Sequence, residues 1–349
     1  MRVALAALSV RGAMGQYLGA LLPPLSELVD VHLFVPEHYQ ECAGRAAVHR
    51  FKTGRNHAEA LASLMNPYGA LRIWKEIREM RPDVVHLFNG EGYPWSLLWA
   101  RWAHRDGIPL LVTLHDPEPH PGSIWDNLNG RLRRAVLTHA ESVHVHVPSF
   151  CDAAMQEGAR RVRVIRHGSL AHRFLRYKRP TVGREPLVVS FGRLEPYKGL
   201  EVLVEAGFLL DGAMRVAIAG PGRLPRKVRE RVMRNPDIFE VHERYLDDWE
   251  VAELFQRAAV CALPYVQVTQ SSVPLIAAAF GVPVVASALG GFLDDVPAVN
   301  GVLVPPGDAE ALAKGIKMAV GLRPTYPAER EFSRLAVAFE QWYSAHVRR

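Results

Sequence analysis

The segment at 190–199 carries two cations whose spacing suits the binding of a diphosphate. It follows an apolar run, and its glycine and proline residues predict a turn that leads into a helix. A forked guanidinium from Arg193 and an ammonium from Lys198 would together neutralise two phosphate groups. The alternative is a surface turn in which these cations pair with Glu195 or Glu201.

A second segment, 269–272, places small polar residues where a helix is predicted to begin. The unpaired backbone N–H groups and the dipole of a helix N-terminus attract anions. Ordinary N-capping by a threonine or a serine explains the same residues and is compatible with anion binding. Together with Arg193 and Lys198, this segment favours a site for a phosphorylated ligand.

Four residues after a predicted strand could bind a metal by composition, namely His115, Asp116, Glu118 and His120. Histidine and carboxylate side chains are common ligands of zinc and other transition metals. However, prolines stiffen this loop, its residues lack helical spacing, and no other cluster in the sequence completes a coordination shell. We therefore expect no metal site.

Composition limits the class of protein. A chain of 349 residues has room for two domains, and 49% hydrophobic with 22% charged residues is typical of a globular protein. No stretch approaches the ~18 continuous apolar residues of a membrane span, and the N-terminus lacks the features of a secretory signal. The cysteines Cys42, Cys151 and Cys261 are far apart and odd in number, which favours a reducing compartment. We expect a cytoplasmic protein.

The net charge of +6 lies mostly in the first half of the chain. Residues 1–176 contain 21 Lys and Arg against 16 Asp and Glu, a net of +5, whereas residues 177–349 have a net of +1. A basic half suits a phosphate-bearing substrate, an anionic membrane surface or nucleic acid. The basic run at 131–134 fits each of these, but no aromatic-interleaved basic stripe or zinc-finger spacing supports nucleic acid.

Short apolar, β-branched runs alternate with helical patterns, which predicts parallel sheets with crossover helices. The predicted strands of the first half are 2–8, 31–35, 84–88, 110–114, 143–147 and 162–165. Those of the second half are 187–191, 216–219, 239–241, 260–262, 282–286 and 302–304. Their largely apolar character suits strands covered on both faces.

This alternation predicts an α/β fold with two doubly wound, Rossmann-like domains at 1–172 and 186–325. A segment without apolar periodicity, 174–186, is interpreted as the linker between them. The stretch 326–349 is predicted to contain one amphipathic helix. Its apolar residues are Phe332, Leu335, Val337, Phe339, Trp342 and Tyr343. Doubly wound sheets bind ligands at the carboxyl ends of their strands, here expected in an interdomain cleft.

The segment 190–199, SFGRLEPYKG, is followed by five further motifs in a fixed order. They are AGPG at 219–222, a helix and strand at 254–264, GVPVVA at 281–286, GG at 290–291 and LVPPGD at 303–308. This arrangement closely resembles that of the retaining GT-B glycosyltransferases of family 4 (group 1), and the resemblance covers nearly the whole chain. It implies sugar transfer from a nucleoside-diphosphate sugar to an acceptor hydroxyl, with retention of configuration. Metal-dependent glycosyltransferases use an Asp-x-Asp motif, and the sequence contains none, so we expect no metal and no other cofactor.

The same resemblance implies roles for individual residues. A UDP- or GDP-sugar would be held mainly by the C-terminal domain, with Arg193 and Lys198 on its phosphates, while the last helix crosses back to the N-terminal domain. His115 matches the family's histidine that contacts the donor sugar near the reacting carbon, so these three residues form the expected catalytic set. The expected donor-binding residues are Gly12, Gly15, Gln16, Asp116, Gly192, Thr269, Gln270, Ser271, Ser272 and Val273.

The loop at 9–17, SVRGAMGQY, resembles the glycine-containing loop that faces the donor phosphates in these enzymes. It is not a G-x-G-x-x-G motif, so an NAD-dependent enzyme is disfavoured even though Glu37 follows the second strand. Weaker candidates lie at 89–91 and 166–169, where a structural role explains each residue at least as well.

One departure from the family pattern concerns two glutamates that most members carry eight residues apart. The matching positions here are Ile276 and either Val268 or, if the loop is one residue longer, Gln267. The second glutamate normally holds the ribose hydroxyls, which an isoleucine cannot do. The phosphate-binding residues are therefore present while the nucleoside-binding residues are altered.

Two functional classes remain open. The first is an active glycosyltransferase acting on a glycan, a lipid-linked or a small-molecule acceptor, with expected peripheral contact to an anionic membrane and none to nucleic acid. The second is a catalytically weak or inactive subunit that binds a partner enzyme or a sugar nucleotide. Arg193, Lys198 and His115 favour the first class, and the two missing glutamates favour the second.

Overall fold

The structure, a computed structural model, describes residues 1–10, 12–53, 59, 63, 65–115 and 124–347, with the backbone alone at 124–128. The chain forms two compact units. Unit 1 comprises Met1–Gly168 together with Glu329–Arg349, and unit 2 comprises Ser169–Ala328. Each unit is built around one parallel sheet.

In unit 1 the described strands form a seven-stranded sheet of order β3-β2-β1-β4-β5-β6-β7. The strands are β1 (Arg2–Ala7), β2 (Asp30–Pro36), β3 (Ala47–Phe51), β4 (Val84–Asn89), β5 (Leu110–Thr113), β6 (Ser142–Val145) and β7 (Val162–Val164). Every residue of β1 after Arg2 is buried, as expected for a central strand that is covered on both faces.

The helices of unit 1 include one from the end of the chain. They are α1 (Ala13–Leu25), α2 (Pro67–Glu79), α3 (Pro94–Asp106), α4 (Ile124–Leu137), α5 (Cys151–Gln156) and α13 (Phe332–Ser344). Helix α13 packs along α1 and buries five of the six apolar residues predicted for it. The sixth, Val337, is 41% exposed, because at about 100° per residue it falls on the opposite side of the helix.

In unit 2 a six-stranded sheet has the order β10-β9-β8-β11-β12-β13. Its strands are β8 (Leu187–Phe191), β9 (Arg215–Ala219), β10 (Phe239–His242), β11 (Val260–Leu263), β12 (Val284–Ser287) and β13 (Val302–Val304). Its helices are α6 (His172–Leu175), α7 (Leu200–Leu209), α8 (Arg226–Met233), α9 (Asp248–Arg257), α10 (Val273–Ala279), α11 (Phe292–Ala298) and α12 (Ala309–Ala319). No helix in the described part of either unit is long and apolar enough to span a membrane.

The two Rossmann-like parallel sheets confirm the predicted fold class, and each predicted strand has a counterpart within a few residues. The sequence did not reveal β3, which pairs with β2 in parallel. Its sequence, AVHRF, lacks an apolar run, because most of its side chains are at least partly exposed.

The segment 174–186, predicted to be a linker, is instead part of unit 2, and the units divide after Gly168. The Arg184 guanidinium donates hydrogen bonds to the carbonyl oxygens of Phe255, Ala258 and Phe280. These carbonyls lie at the C-terminal ends of α9 and α10, where backbone oxygens lack partners within the helix. The charges and prolines of this segment led to the prediction of a linker. In the structure the segment is polar but is bound to unit 2 by hydrogen bonds.

Candidate functional site

The loop after β8 is shaped by two close backbone approaches. Gly199 has a φ of +64°, and a Cβ there would lie 1.8 Å from the carbonyl oxygen of Pro264. Gly220 has a φ of +149°, and a Cβ there would lie 2.0 Å from the carbonyl oxygen of Gly192. Because only glycine fits such positions, the loop lies directly against the segments that follow β9 and β11.

Lys198 is buried in this loop, with 8% of its surface exposed. Its Nζ lies 3.9 Å from the centre of the Tyr265 ring and donates a hydrogen bond to the Tyr265 hydroxyl. Burial, reinforced by the charge of Arg193, lowers the pKa of Lys198 to about 7. The alternative of a surface turn, which the sequence left open, therefore does not describe Lys198, which is buried at the end of a 3₁₀ turn.

Arg193 has the opposite environment. Its side chain is 67% exposed and its Nη1 lies 3.0 Å from a carboxylate oxygen of Glu195. This is the pairing that the sequence left open as an alternative. An exposed pair of this kind contributes only about 0–1 kcal/mol, so an anionic ligand can take over the guanidinium at little cost.

The N-terminus of α10 follows the predicted polar segment. The helix begins at Val273 after Ser272, whose side chain makes no capping hydrogen bond. The Oγ of Ser271 instead accepts a long bond of 3.4 Å from the Val273 N–H. The capping by a serine that the sequence left open therefore comes from Ser271, over a long bond, and not from Ser272.

The side-chain amide of Gln270 is buried beside a glycine turn. The Gly291 N–H donates to the carbonyl oxygen of Thr269 over 3.1 Å, and a Cβ on Gly291 would lie 2.5 Å from Gln270 Nε2. Both polar atoms of the amide are buried and make no hydrogen bond to any described residue. Since buried amides nearly always find partners, this amide is a candidate contact for a ligand.

The positions that match the family's two glutamates are apolar in structure as well as in sequence. Ile276 is 2% exposed and belongs to the core of unit 2, and Val268 packs against the same core. Gln267 is exposed. A core isoleucine offers a ribose hydroxyl no hydrogen bond.

In unit 1 the predicted glycine loop leads into α1. Gly12 precedes the helix with a φ of +60°, and its carbonyl oxygen accepts from the Gln16 N–H over 3.3 Å. Gly15 is buried, and a Cβ there would lie 2.4 Å from the carbonyl oxygen of Val10. The backbone conformation thus explains Gly12, and the close approach of Val10 explains Gly15. Arg11 lies outside the described residues.

His115 follows β5 and is hydrogen-bonded through both ring nitrogens. Its Nε2 donates to the carbonyl oxygen of Phe88 over 2.9 Å. Because the Nε2 of the neutral ring carries the proton, Nδ1 accepts, and the Nε2 of His146 donates to it over 2.8 Å. Burial lowers the pKa of His115 to about 3, so the ring is neutral at pH 7.

A second line of hydrogen bonds joins α13 to the sheet. His144 Nε2 donates to the Ile165 carbonyl oxygen over 2.8 Å, so its Nδ1 accepts from the Thr113 hydroxyl over 3.0 Å. The Thr113 oxygen in turn accepts from His86 Nε2, and His86 Nδ1 accepts from the Tyr343 hydroxyl, both over 2.8 Å. Every proton has a fixed direction because the terminal carbonyl can only accept. Burial lowers the pKa of His144 to about 4 and that of His86 well below its usual value.

We call five neighbouring residues the histidine cluster: His86, His115, His144, His146 and His167. The ring centres of His144 and His146 lie 4.7 Å apart, and those of His146 and His167 lie 5.1 Å apart. Sequence reasoning found only His115 and, as a weak candidate, His167. The available signal was the alternation HVHV at 144–147, which places two histidines on one face of a buried strand.

The described residues contain no group of three or more His, Cys, Asp and Glu side chains placed to hold a metal ion. The ring nitrogens described above bond to one another, to hydroxyls and to the backbone. Three residues of the loop considered for metal binding, Asp116, Glu118 and His120, lie outside the described residues.

The weaker candidates have structural roles. The Asn89 side chain accepts from the Ser9 N–H over 3.0 Å and donates to the Ser9 carbonyl oxygen over 2.6 Å, which ties β4 to the end of β1. The Arg330 guanidinium donates to the carbonyl oxygen of His167 over 2.9 Å. These bonds tie Asn89 and His167 to neighbouring segments of unit 1.

Family models match both halves of the chain. Residues 12–168 match the glycosyl transferase 4-like domain, and residues 185–320 match glycosyl transferases group 1. The chain thus contains a glycosyl transferase 4-like domain followed by a group 1 glycosyltransferase domain. The 190–199 loop lies in the second of these domains, and the histidine cluster lies in the first.

Individual proteins show the same relationship. A glycogen synthase of Mycobacterium tuberculosis is 30% identical over 264 residues, which are 69% of this chain and 60% of that protein. The chain therefore spans less than two thirds of this relative. HepE of Anabaena in complex with UDP has 18% identity and a TM-score of 0.70, covering 99% of this chain and 97% of that one. Sucrose-phosphate synthase of Thermosynechococcus elongatus has 20% identity and a TM-score of 0.69, covering 99% and 95%. These solved structures share the GT-B fold.

Proposed function

We propose that this group 1 glycosyltransferase moves a hexose from a nucleoside-diphosphate sugar to an acceptor hydroxyl. The observation that carries the proposal is Lys198, a buried ammonium that no carboxylate of the described residues approaches within salt-bridge distance. A diphosphate in this loop would supply the missing negative charge and reverse the lowering of the Lys198 pKa. Arg193, exposed and weakly paired, would complete the neutralisation.

The chemistry follows from where charge develops. As the bond between the anomeric carbon and the diphosphate oxygen breaks, the electron pair stays on the nucleoside diphosphate. Lys198 and Arg193 would stabilise that charge as fixed cations. In metal-dependent transferases a bound metal ion has this role. We therefore propose a metal-independent reaction. By resemblance to the family it retains configuration, so the acceptor oxygen forms its new bond on the face that the diphosphate leaves and passes its proton to the departing phosphate oxygen.

On the sugar side we assign His115 to positioning the donor, with Asp116 beside it in sequence. The His115 Nε2 carries a proton and now donates to the Phe88 carbonyl oxygen, so it can exchange that bond for one to a sugar hydroxyl. The buried Gln270 amide would also bond to the donor. We further assign to donor binding the residues Gly12, Gly15, Gln16, Gly192, Thr269, Ser271, Ser272 and Val273.

The donor nucleotide is proposed to be UDP or GDP. HepE structures exist in complex with UDP and with UDP-glucose, which makes UDP-sugars the first to test. The acceptor is a glycan, a lipid-linked or a small molecule, and the +5 charge of residues 1–176 favours an anionic one or contact with an anionic membrane surface. We place the reaction in the cytoplasm.

A second candidate is supported by Ile276. A core isoleucine at the position of the family's ribose-binding glutamate removes one expected contact to the donor. The protein would then be a weak or inactive subunit that binds a partner enzyme or a sugar nucleotide. In that case a nucleoside diphosphate would bind while donor turnover stays at background.

The test is release of nucleoside diphosphate from a panel of UDP- and GDP-sugars in the presence of a strong chelator. We expect release by the wild type and its loss in Lys198→Met, with the exposed Lys227→Met as the matched control. The anomeric configuration of the product is read by NMR. Release that requires an added divalent ion would contradict metal independence. Binding of nucleoside diphosphate without any release would support the subunit role.

A further inference from the structure

A basic pocket lies at the N-terminal ends of the strands of the unit 1 sheet, whereas His115 of the histidine cluster follows the C-terminal end of β5. It opens where the residues just before β6 and just before β7 meet the end of α3, and its volume is about 340 Å³. Ligand pockets typically measure about 300–1,000 Å³, so the space suits a small molecule. Its polar lining consists of His104, Thr138, His139, Glu141, Arg160 and Arg161.

Arg160 and Arg161 supply the charge of this pocket. Both are exposed, and neither lies within salt-bridge distance of a carboxylate of the described residues, unlike Arg105 with Asp106 at 2.9 Å or Arg134 with Glu157 at 3.2 Å. The two residues are neighbours in sequence and line the same pocket, so an anion bound there would be attracted by the positive charges of both guanidiniums. Their planar forks match the oxygens of a phosphate group.

The histidines of the pocket add hydrogen-bonding capacity. His139 Nδ1 donates to the carbonyl oxygen of Ala135 over 2.8 Å, which leaves Nε2 as its remaining polar atom. The His104 ring meets the His139 ring edge to face, with centres 5.9 Å apart. Glu141 brings a carboxylate to the lining, so the ligand must offer more negative charge than a single carboxylate to be preferred.

We propose that this pocket binds the phosphate group of a small molecule or of a lipid headgroup, at a site separate from the proposed donor site. The residues of the donor loop belong to unit 2, whereas all lining residues of the pocket belong to unit 1. The site lies before the strands of its sheet begin, whereas His115 lies where β5 ends. The proposal therefore stands whether or not the chain transfers a sugar.

The test uses inorganic phosphate as the probe, titrated against the full chain at constant ionic strength and followed by calorimetry. We expect Arg160→Ala/Arg161→Ala to weaken phosphate binding about tenfold or more, since two charge-assisted contacts are lost. Arg163→Ala is the matched control, because Arg163 is exposed, close in sequence and not part of the lining. Lys198→Met distinguishes the two sites. If phosphate binds in the donor loop, Lys198→Met abolishes its binding and the Arg160→Ala/Arg161→Ala variant retains it.

A second arm distinguishes the source of the phosphate group. Vesicles of phosphatidic acid with a neutral lipid are sedimented with the wild type and each variant. Vesicle binding that needs Arg160 and Arg161, with or without binding of free phosphate, supports a lipid phosphate. Binding of phosphate alone supports a soluble ligand. If neither probe distinguishes the double variant from Arg163→Ala, the proposal is wrong.

Discussion

The loop at 190–199 and the histidine cluster both keep ionisable side chains away from water, yet they do so in different ways. Lys198 has no carboxylate partner among the described residues, and its pKa is lowered to about 7, which is close to neutral pH. The histidines bond to one another, to hydroxyls and to carbonyls, and the pKa values of His115 and His144 are lowered to about 3 and about 4.

The loop is arranged to bind an anionic ligand beside Lys198, whereas the histidine cluster is arranged to stay neutral. A ligand anion beside Lys198 would restore its proton, because the lysine is poised between its two forms at neutral pH. A proton added to His144 would break the line from Tyr343 to Ile165, because the Thr113 hydroxyl could no longer donate to it. The loop is suited to binding an anion, and the line of hydrogen bonds from Tyr343 to Ile165 holds α13 on the sheet of unit 1.

The largest expected effect is on stability at low pH. The folded pKa of His144 is about 4, whereas the unfolded chain binds that proton near pH 6.5. Stability from this group is therefore complete above pH 6.5 and is lost as the pH falls toward 4. Each such histidine lowers the free energy of unfolding by about 1.4 kcal/mol per pH unit in this window.

Denaturant unfolding at pH 7.0, 5.5 and 4.5 measures this slope. We expect a steep fall for the wild type and a shallower one for His144→Gln, which has one fewer group to protonate. Equal stability of the wild type at pH 7.0 and pH 4.5 would show that the cluster is not neutral in the folded state.

The next effect is on turnover. Lys198→Met keeps the apolar stem and removes the charge, and we expect it to lower turnover about 10²-fold or more, comparable with the loss of one oxyanion donor. Arg193→Ala should act in the same direction, because both cations stabilise the leaving group. Circular dichroism confirms folding of each variant. Near-normal turnover in both would place the diphosphate elsewhere.

A smaller effect concerns the nucleoside. Because Ile276 offers the ribose no hydrogen bond, we expect the bare nucleoside to bind weakly and affinity to rise steeply with the second phosphate. Ile276→Glu would add charged hydrogen bonds, each contributing about 1.5–3 kcal/mol, if the core accepts the carboxylate. Affinities of nucleoside, monophosphate and diphosphate are compared in both proteins. Tight binding of the bare nucleoside by the wild type would show that ribose recognition has been rebuilt by other residues.

The 190–199 loop could be predicted from the sequence because its parts are local. Strand, turn, cations and helix lie within a short stretch, and Gly199 is in place because a neighbouring backbone leaves no room for a side chain. The burial of Lys198 could not be predicted, because it depends on Tyr265, which is distant in the sequence.

The histidine cluster was largely missed for the same reason. His86 bonds to Tyr343, 257 residues away, and no local pattern indicates such a contact. Strand β3 was missed because an exposed edge strand has no apolar run. Sequence patterns thus revealed the buried strands and the local loop. The hydrogen-bond partners of the buried polar groups could be identified only from the folded structure.

The most direct test of the central claim, that Lys198 receives the diphosphate, is proton uptake on binding. At pH 8, about one unit above the Lys198 pKa of about 7, the free lysine is mostly neutral and must take up a proton when a diphosphate binds. Calorimetric titration of UDP and GDP in two buffers of different ionisation enthalpy counts that proton. We expect uptake approaching one proton per nucleotide in the wild type and none in Lys198→Met. Binding without uptake, or equal uptake in both proteins, would contradict the account.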